Sequence, residues 1–268
     1  MNYGFSTTNA LAQWHPETVL FLLLAAVLYT VATRPGPVPT AGLRSGPTAR
    51  LRGPAAFFLA LALVYIALGT PLNSVANNRL FSAHMAQSLL LTMAVPPLLL
   101  KGIPAWMWDA ALQVRGLRET LSVLVRPDIA LVLFNVLFSA ALFPGALDAS
   151  LRLDWLHVLL QLAQFLAALF LWWPVLSPSE RLPRLTPGWR MLYLFFCGDL
   201  MMPASVYIPI ARHPLYGIYA QSPRLFGISA LADQQFGGVL MFLAMSIAYG
   251  AAFFAAYAQQ EEGLAWYD

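Results

Sequence analysis

Apolar residues run through this chain in long unbroken blocks, without the one-faced or alternating patterns of a soluble fold. Seven blocks stand out, at about 16–33, 54–71, 80–100, 128–145, 155–176, 189–210 and 234–258. Each holds roughly 18 to 25 residues, and at about 1.5 Å rise per residue each predicts a helix able to cross a hydrocarbon layer about 30 Å thick. The intervening loops are short and rich in Pro and Gly, as in RPGPVPTAGLRSGP at 34–47. No segment has the pattern of a soluble domain, and no internal repeat stands out. The prediction is an all-α integral membrane protein: one polytopic domain over 1–268, built as a bundle of about seven transmembrane helices.

Polar residues that interrupt the blocks carry the chemistry. The run LFSAHMAQSLLLTMAVPPLLLKGIP at 80–104 has His84, Met85, Gln87 and Ser88 near its start and Pro96-Pro97 near its end. His84, Gln87 and Ser88 fall at i, i+3 and i+4 and are expected on one helical face. An imidazole in a lipid-spanning helix must face protein or water, so His84 is either part of a metal or polar site or a histidine satisfied by a hydrogen bond between helices. On the fifth block, His157, Gln161 and Gln164 recur at i, i+4 and i+7 as a polar stripe. It reads as a ligand opposite His84 or as hydrogen bonding that holds the bundle together.

The sixth block carries Asp199, Met201-Met202-Pro203 and Pro209. Each proline removes an N–H and frees a carbonyl. A carboxyl beside such a kink can bind an ion, relay a proton or pair with an arginine. The methionine thioethers suit Cu(I), and they are equally ordinary packing groups. Ahead of the seventh block, Asp233 sits where the N-cap of its own helix belongs, and Gly237-Gly238 would let a neighbouring helix come close. Asn135 and Ser139 are expected to bond across helices, and Trp172-Trp173-Pro174 reads as an anchor at the membrane surface.

Composition agrees: 59% of residues are hydrophobic and 10% charged, and the mean hydropathy is +0.66, against about 25% charged in soluble domains. The net charge of +3 and the pI near 9.2 do not point to nucleic acid, because the basic residues lie between the apolar blocks. The odd-numbered loops hold eleven Lys and Arg, the even ones four. The positive-inside rule therefore puts the odd loops and the C-terminus, with its EEG and Asp268, in the cytoplasm and the N-terminus outside. In this orientation His15, His84, His157 and His213 all fall toward the outer side, with Asp148, Asp154, Asp199, Asp233, Met85, Met201 and Met202. The first basic residue is Arg34, so no cleavable signal peptide is expected. Cys197 is alone and there is no CxxC motif. The chain has no phosphate loop, nucleophile elbow, HExxH or Ser/His/Asp set, so it is not expected to be an enzyme, and a transporter built on Asp199 would lack the usual inverted repeat.

Three stretches taken in order, HMAQSLLLTMAVPPLLLKGIP at 84–104, LHVLLQLAQFLAALFLWWPVL at 156–176 and PLYGIYA…ISALADQQFGGVLMF at 214–242, carry a resemblance. Over about 55–258 the chain resembles the CtaG family of cytochrome c oxidase assembly proteins, multi-span bacterial membrane proteins linked to maturation of haem–copper oxidases. The resemblance implies an assembly factor of the bacterial cytoplasmic membrane whose partners are oxidase subunits and the lipid bilayer. It implies assistance with copper delivery from the outer side, with His84, His157 and Met85 as Cu(I) ligands and Gln87, Gln161, Asp199 and Asp233 as supporting or structural groups. Three positions depart from the family pattern: H-M-x-Q-H ends here in Ser88, a second fifth-span histidine is Gln161, and the histidine of an aromatic-His-x-Pro pattern is Leu142. These departures leave a second function open, that of a permanent accessory subunit of an oxidase or respiratory supercomplex with no metal of its own.

Overall fold

The computed structural model describes residues 14–34, 47–225 and 227–264, with their side chains except those of 47–52, Met202 and 262–264. Arg44 and Asp268 lie outside the described residues, as do the side chains of Arg50, Arg52 and Met202. All described secondary structure is helical. In chain order it runs α1 (Pro16–Ala32), α2 (Pro47–Val64, prolonged by a π turn at Tyr65–Gly69), α3 (Pro71–Asn78) and α4 (Phe81–Leu89). A second π turn at Leu90–Ala94 leads into α5 (Val95–Gly102), followed by α6 (Ala105–Ala111), α7 (Arg115–Leu124), α8 (Pro127–Leu142) and α9 (Pro144–Arg152). Then come α10 (Asp154–Leu176), α11 (Pro187–Ile210), α12 (Gly217–Gln221) and α13 (Ala230–Leu264). Proline opens α1, α3, α8, α9 and α11, where its missing N–H costs nothing and its fixed φ suits the first turn.

Every predicted apolar block lies on a helix. Four helices are long and apolar enough to cross a membrane: Phe81–Gly102, Asp154–Leu176, Pro187–Ile210 and Ala230–Glu261. The number rises to six if two bent pairs each count as one span: Gly53–Gly69 with Pro71–Asn78, bent by 50°, and Arg115–Leu124 with Pro127–Leu142, bent by 75°. The first block forms the shorter apolar helix Pro16–Ala32. Outward-facing side chains such as Leu20, Phe195, Ile247 and Phe254 are apolar and suit a bilayer. The connections are less plain than the Pro and Gly pattern predicts, since α6, α7, α9 and α12 are helices within them.

The α4–α5 helix is the hub. Its apolar window is 61% buried, against 22% for α13, and it packs on α2, α3, α10 and α13. Its prolines explain its shape. Pro96 has no N–H for the carbonyl of Thr92, and the helix widens into the π turn just before it. The freed Thr92 carbonyl is bonded by the indole Nε1 of Trp172 at 3.1 Å. The Trp pair is therefore no surface anchor: Trp172 and Trp173 are 3% and 2% exposed, and Trp173 bonds the Leu182 carbonyl at 3.0 Å. An indole bonded to a carbonyl inside the bundle outweighs the interfacial preference of tryptophan.

Helix α13 meets two neighbours through adjacent glycines, as Gly237-Gly238 predicts. A Cβ on Gly237 would lie 2.6 Å from the Phe81 ring, and one on Gly238 would lie 2.5 Å from the Pro209 ring. The first glycine seats α13 on α4 and the second seats it on α11.

Candidate functional site

The polar faces of α4 and α10 meet. The rings of His84 and His157 stand 6.1 Å apart between centroids, tilted by 51°. They line a cavity of about 20 Å³ together with Ser88, Leu142, Gln161 and Gln164, room for about one water molecule. The stripe His157, Gln161 and Gln164 therefore faces inward along its whole length. Three cavity positions, Ser88, Gln161 and Leu142, are those that the resemblance singled out. They surround the two histidines that remain.

Two nitrogens in this place have no partner. His84 Nδ1 and His157 Nε2 are buried and bond to no described group. Buried polar atoms are nearly always paired, and both of these belong to residues that line the one small cavity. A metal–imidazole bond is about 2 Å and the ring centre lies roughly 1 Å behind its nitrogen, so two imidazoles sharing one ion in line stand about 6 Å apart. The donor set is thin: among the described residues no group of three His, Cys, Asp or Glu could hold a metal ion.

The other predicted residues fall elsewhere. Met85 is wholly buried in the apolar core and does not line the cavity. Gln87 does not share the face of His84 and Ser88. Its Nε2 donates to the carbonyl of Ala67 and to Asn73 Oδ1, both at 2.8 Å. The two offsets rotate in opposite senses, about 60° one way for i+3 and 40° the other for i+4, enough to split the trio between two neighbours. Asn73 continues that network to His15 at 3.2 Å, and His213 is exposed. Cys197 is buried as a free thiol.

Asp233 is buried but does not cap its own helix, as its position in the sequence predicts. Ser229 takes that role, accepting from the Ala232 amide at 3.1 Å. Asp233 instead accepts from the amides of Phe81 at 2.7 Å and Ser82 at 3.3 Å, and from the Ser82 hydroxyl. It caps α4 from outside, because Leu80 at the α4 N-cap has no side-chain acceptor. Asp148 serves α12 in the same way, accepting from Gly217 at 3.0 Å and Ile218 at 3.3 Å. Asp199 lies away from the cavity, exposed on α11.

A residue that sequence reasoning missed stands beside the site. The Tyr219 ring lies 6.4 Å from that of His84, and its hydroxyl donates to the Ala76 carbonyl at 2.6 Å. Tyr216 donates to the Leu142 carbonyl at 3.0 Å and stacks on Phe81. Burial pushes both phenols above the usual tyrosine range, so both stay protonated donors. The one signal for them was their place in PLYGIYA, a stretch noted for its overall likeness and not for these residues.

The model of the family described as cytochrome c oxidase caa3 assembly factor matches residues 27–260, which include the whole cavity. No curated protein matches the chain, and no solved structure does.

Proposed function

We propose that this chain, which belongs to the family of cytochrome c oxidase caa3 assembly factors, carries Cu(I) as cargo between His84 and His157 and passes it to an oxidase subunit on the outer side of a bacterial cytoplasmic membrane. In this reading seven spans place the N-terminus outside and the C-terminus inside, and the histidine end of the bundle faces outward. The observation that carries it is the pair of imidazoles lining one small cavity with their ring centroids 6.1 Å apart. Two neutral imidazoles suit Cu(I), a soft ion content with few ligands. Ser88 and Gln161 would position bound water or the rings, with Met85, Gln87 and Asp233 holding the helices that carry them. Transfer is ligand exchange: the ion leaves two nitrogens for donors of the recipient, and no covalent bond of the protein is made or broken.

The test is a Cu(I) competition titration of the purified protein against a chromogenic chelator, beside the double variant His84→Ala, His157→Ala. About one tightly held ion, lost in the variant, is the expected result. Equal behaviour of the two proteins sinks the copper reading. A second reading, a permanent accessory subunit with no metal, is favoured by one observation: no third His, Cys, Asp or Glu joins the histidines among the described residues. Recovery in fixed stoichiometry with the mature oxidase would support it.

A further inference from the structure

A second polar place lies on the outside of the bundle. Helices α11 and α13 form the most extensive pair in the molecule, yet on one side they leave a groove of about 320 Å³. Asp199 lies midway along the 24-residue α11, in this groove and exposed. No hydrogen bond or ion pair joins its side chain to any described residue. Pro203, one turn on, has no N–H for the Asp199 carbonyl. The groove also holds Tyr249, 5% exposed, whose hydroxyl is buried and unbonded.

The groove walls are low where a helix would need them low. Gly198 on α11 and Ser246 and Gly250 on α13 line it, the latter pair at the i, i+4 spacing of close-packing membrane helices. A Cβ on Gly250 would meet nothing within 4 Å. Phe195 and Phe242, both largely exposed, flank these small residues.

We propose that this groove seats one transmembrane helix of another chain, and that this helix presents a basic side chain or a hydrogen-bond donor to Asp199 near mid-span. Charge and hydrogen-bond complementarity select that occupant. A lipid tail would fill the space and leave the carboxyl without a partner, a costly arrangement in hydrocarbon. A second copy docked groove to groove would bring two Asp199 carboxyls together. The inference does not depend on what the other chain is. A partner outside the oxidase would overturn the assembly reading and leave this one standing.

The test is site-specific photo-cross-linking in native membranes, with p-benzoylphenylalanine replacing Phe195 on the groove rim. The expected product joins this chain to a transmembrane helix that has Lys, Arg or another donor within about one turn of the cross-link. Asp199→Asn should lower the yield roughly threefold to tenfold, the range of one interhelical polar contact. Gly250→Leu should lower it by filling the groove without touching the carboxyl, and Asp199→Arg should be rescued by an acid at the partner's basic position. Thermal unfolding of each variant in detergent separates lost docking from lost folding. Cross-links only to lipid, to a second copy or to a helix without a donor overturn the proposal, as does a yield indifferent to both folded variants.

Discussion

Asp233 and Asp199 are carboxyls on two paired helices, and their surroundings are opposite. Asp233 is buried and accepts from two amides and a hydroxyl at the start of α4. Asp199 is exposed on the outer face of α11 and accepts from nothing described. The same division runs through the rest of the molecule. Asp148, Tyr216 and Tyr219 have their partners and tie α12 to its neighbours, while His84, His157 and Tyr249 hold atoms that do not. A polar group that the fold uses for its own cohesion is paired within the fold. A carboxyl left open at the surface, as Asp199 is, is free to meet something else.

Three variants press on that division. The largest effect is expected from Asp233→Ala, which strands two amides at the start of α4 and should cost about 3 kcal/mol. Thermal unfolding in detergent measures it, and an unchanged midpoint would show that the carboxyl is not needed as a cap. Asp199→Leu should move the other way in the isolated protein, raising stability by up to about 2 kcal/mol because a polar group leaves a hydrocarbon-facing surface. A fall in stability would mean that Asp199 has an internal role and would erase the contrast. The third adds imidazoles at two positions that line the cavity. Ser88→His with Gln161→His should tighten Cu(I) binding roughly tenfold, about 1.4 kcal/mol. If the chelator competition shows no gain, the cavity does not present those positions to an ion.

Much of the scaffold was legible because hydrophobic length is a local property: each apolar block lies on a helix, and Pro96-Pro97 marked the break in the hub. The facing of His84 and His157 was half legible. The i, i+4, i+7 stripe on α10 said that it turned inward, but nothing local said that α4 lay opposite. What escaped was long-range or slight. Asp233 serves amides 152 and 151 residues away, so its position pointed to the nearer helix instead. Trp172 bonds a carbonyl 80 residues back, and no residue pattern distinguishes that from an interfacial indole. Gln87 sits one residue from Ser88 and faces different neighbours. Leu142 is apolar, and only the resemblance gave its position any meaning.

The hydrogen bond from Trp172 to Thr92 sets a fulcrum at one end of the cavity that His84 and His157 line. Thr92 lies eight residues along the hub from His84, a lever arm of about 12 Å. A swing of the hub against α10 by about 5° about that point would change the imidazole spacing by about 1 Å, half a metal–nitrogen bond. If the cavity holds an ion as proposed, an indole two turns along the hub would set its grip, and small rotations of one helix would separate holding from release.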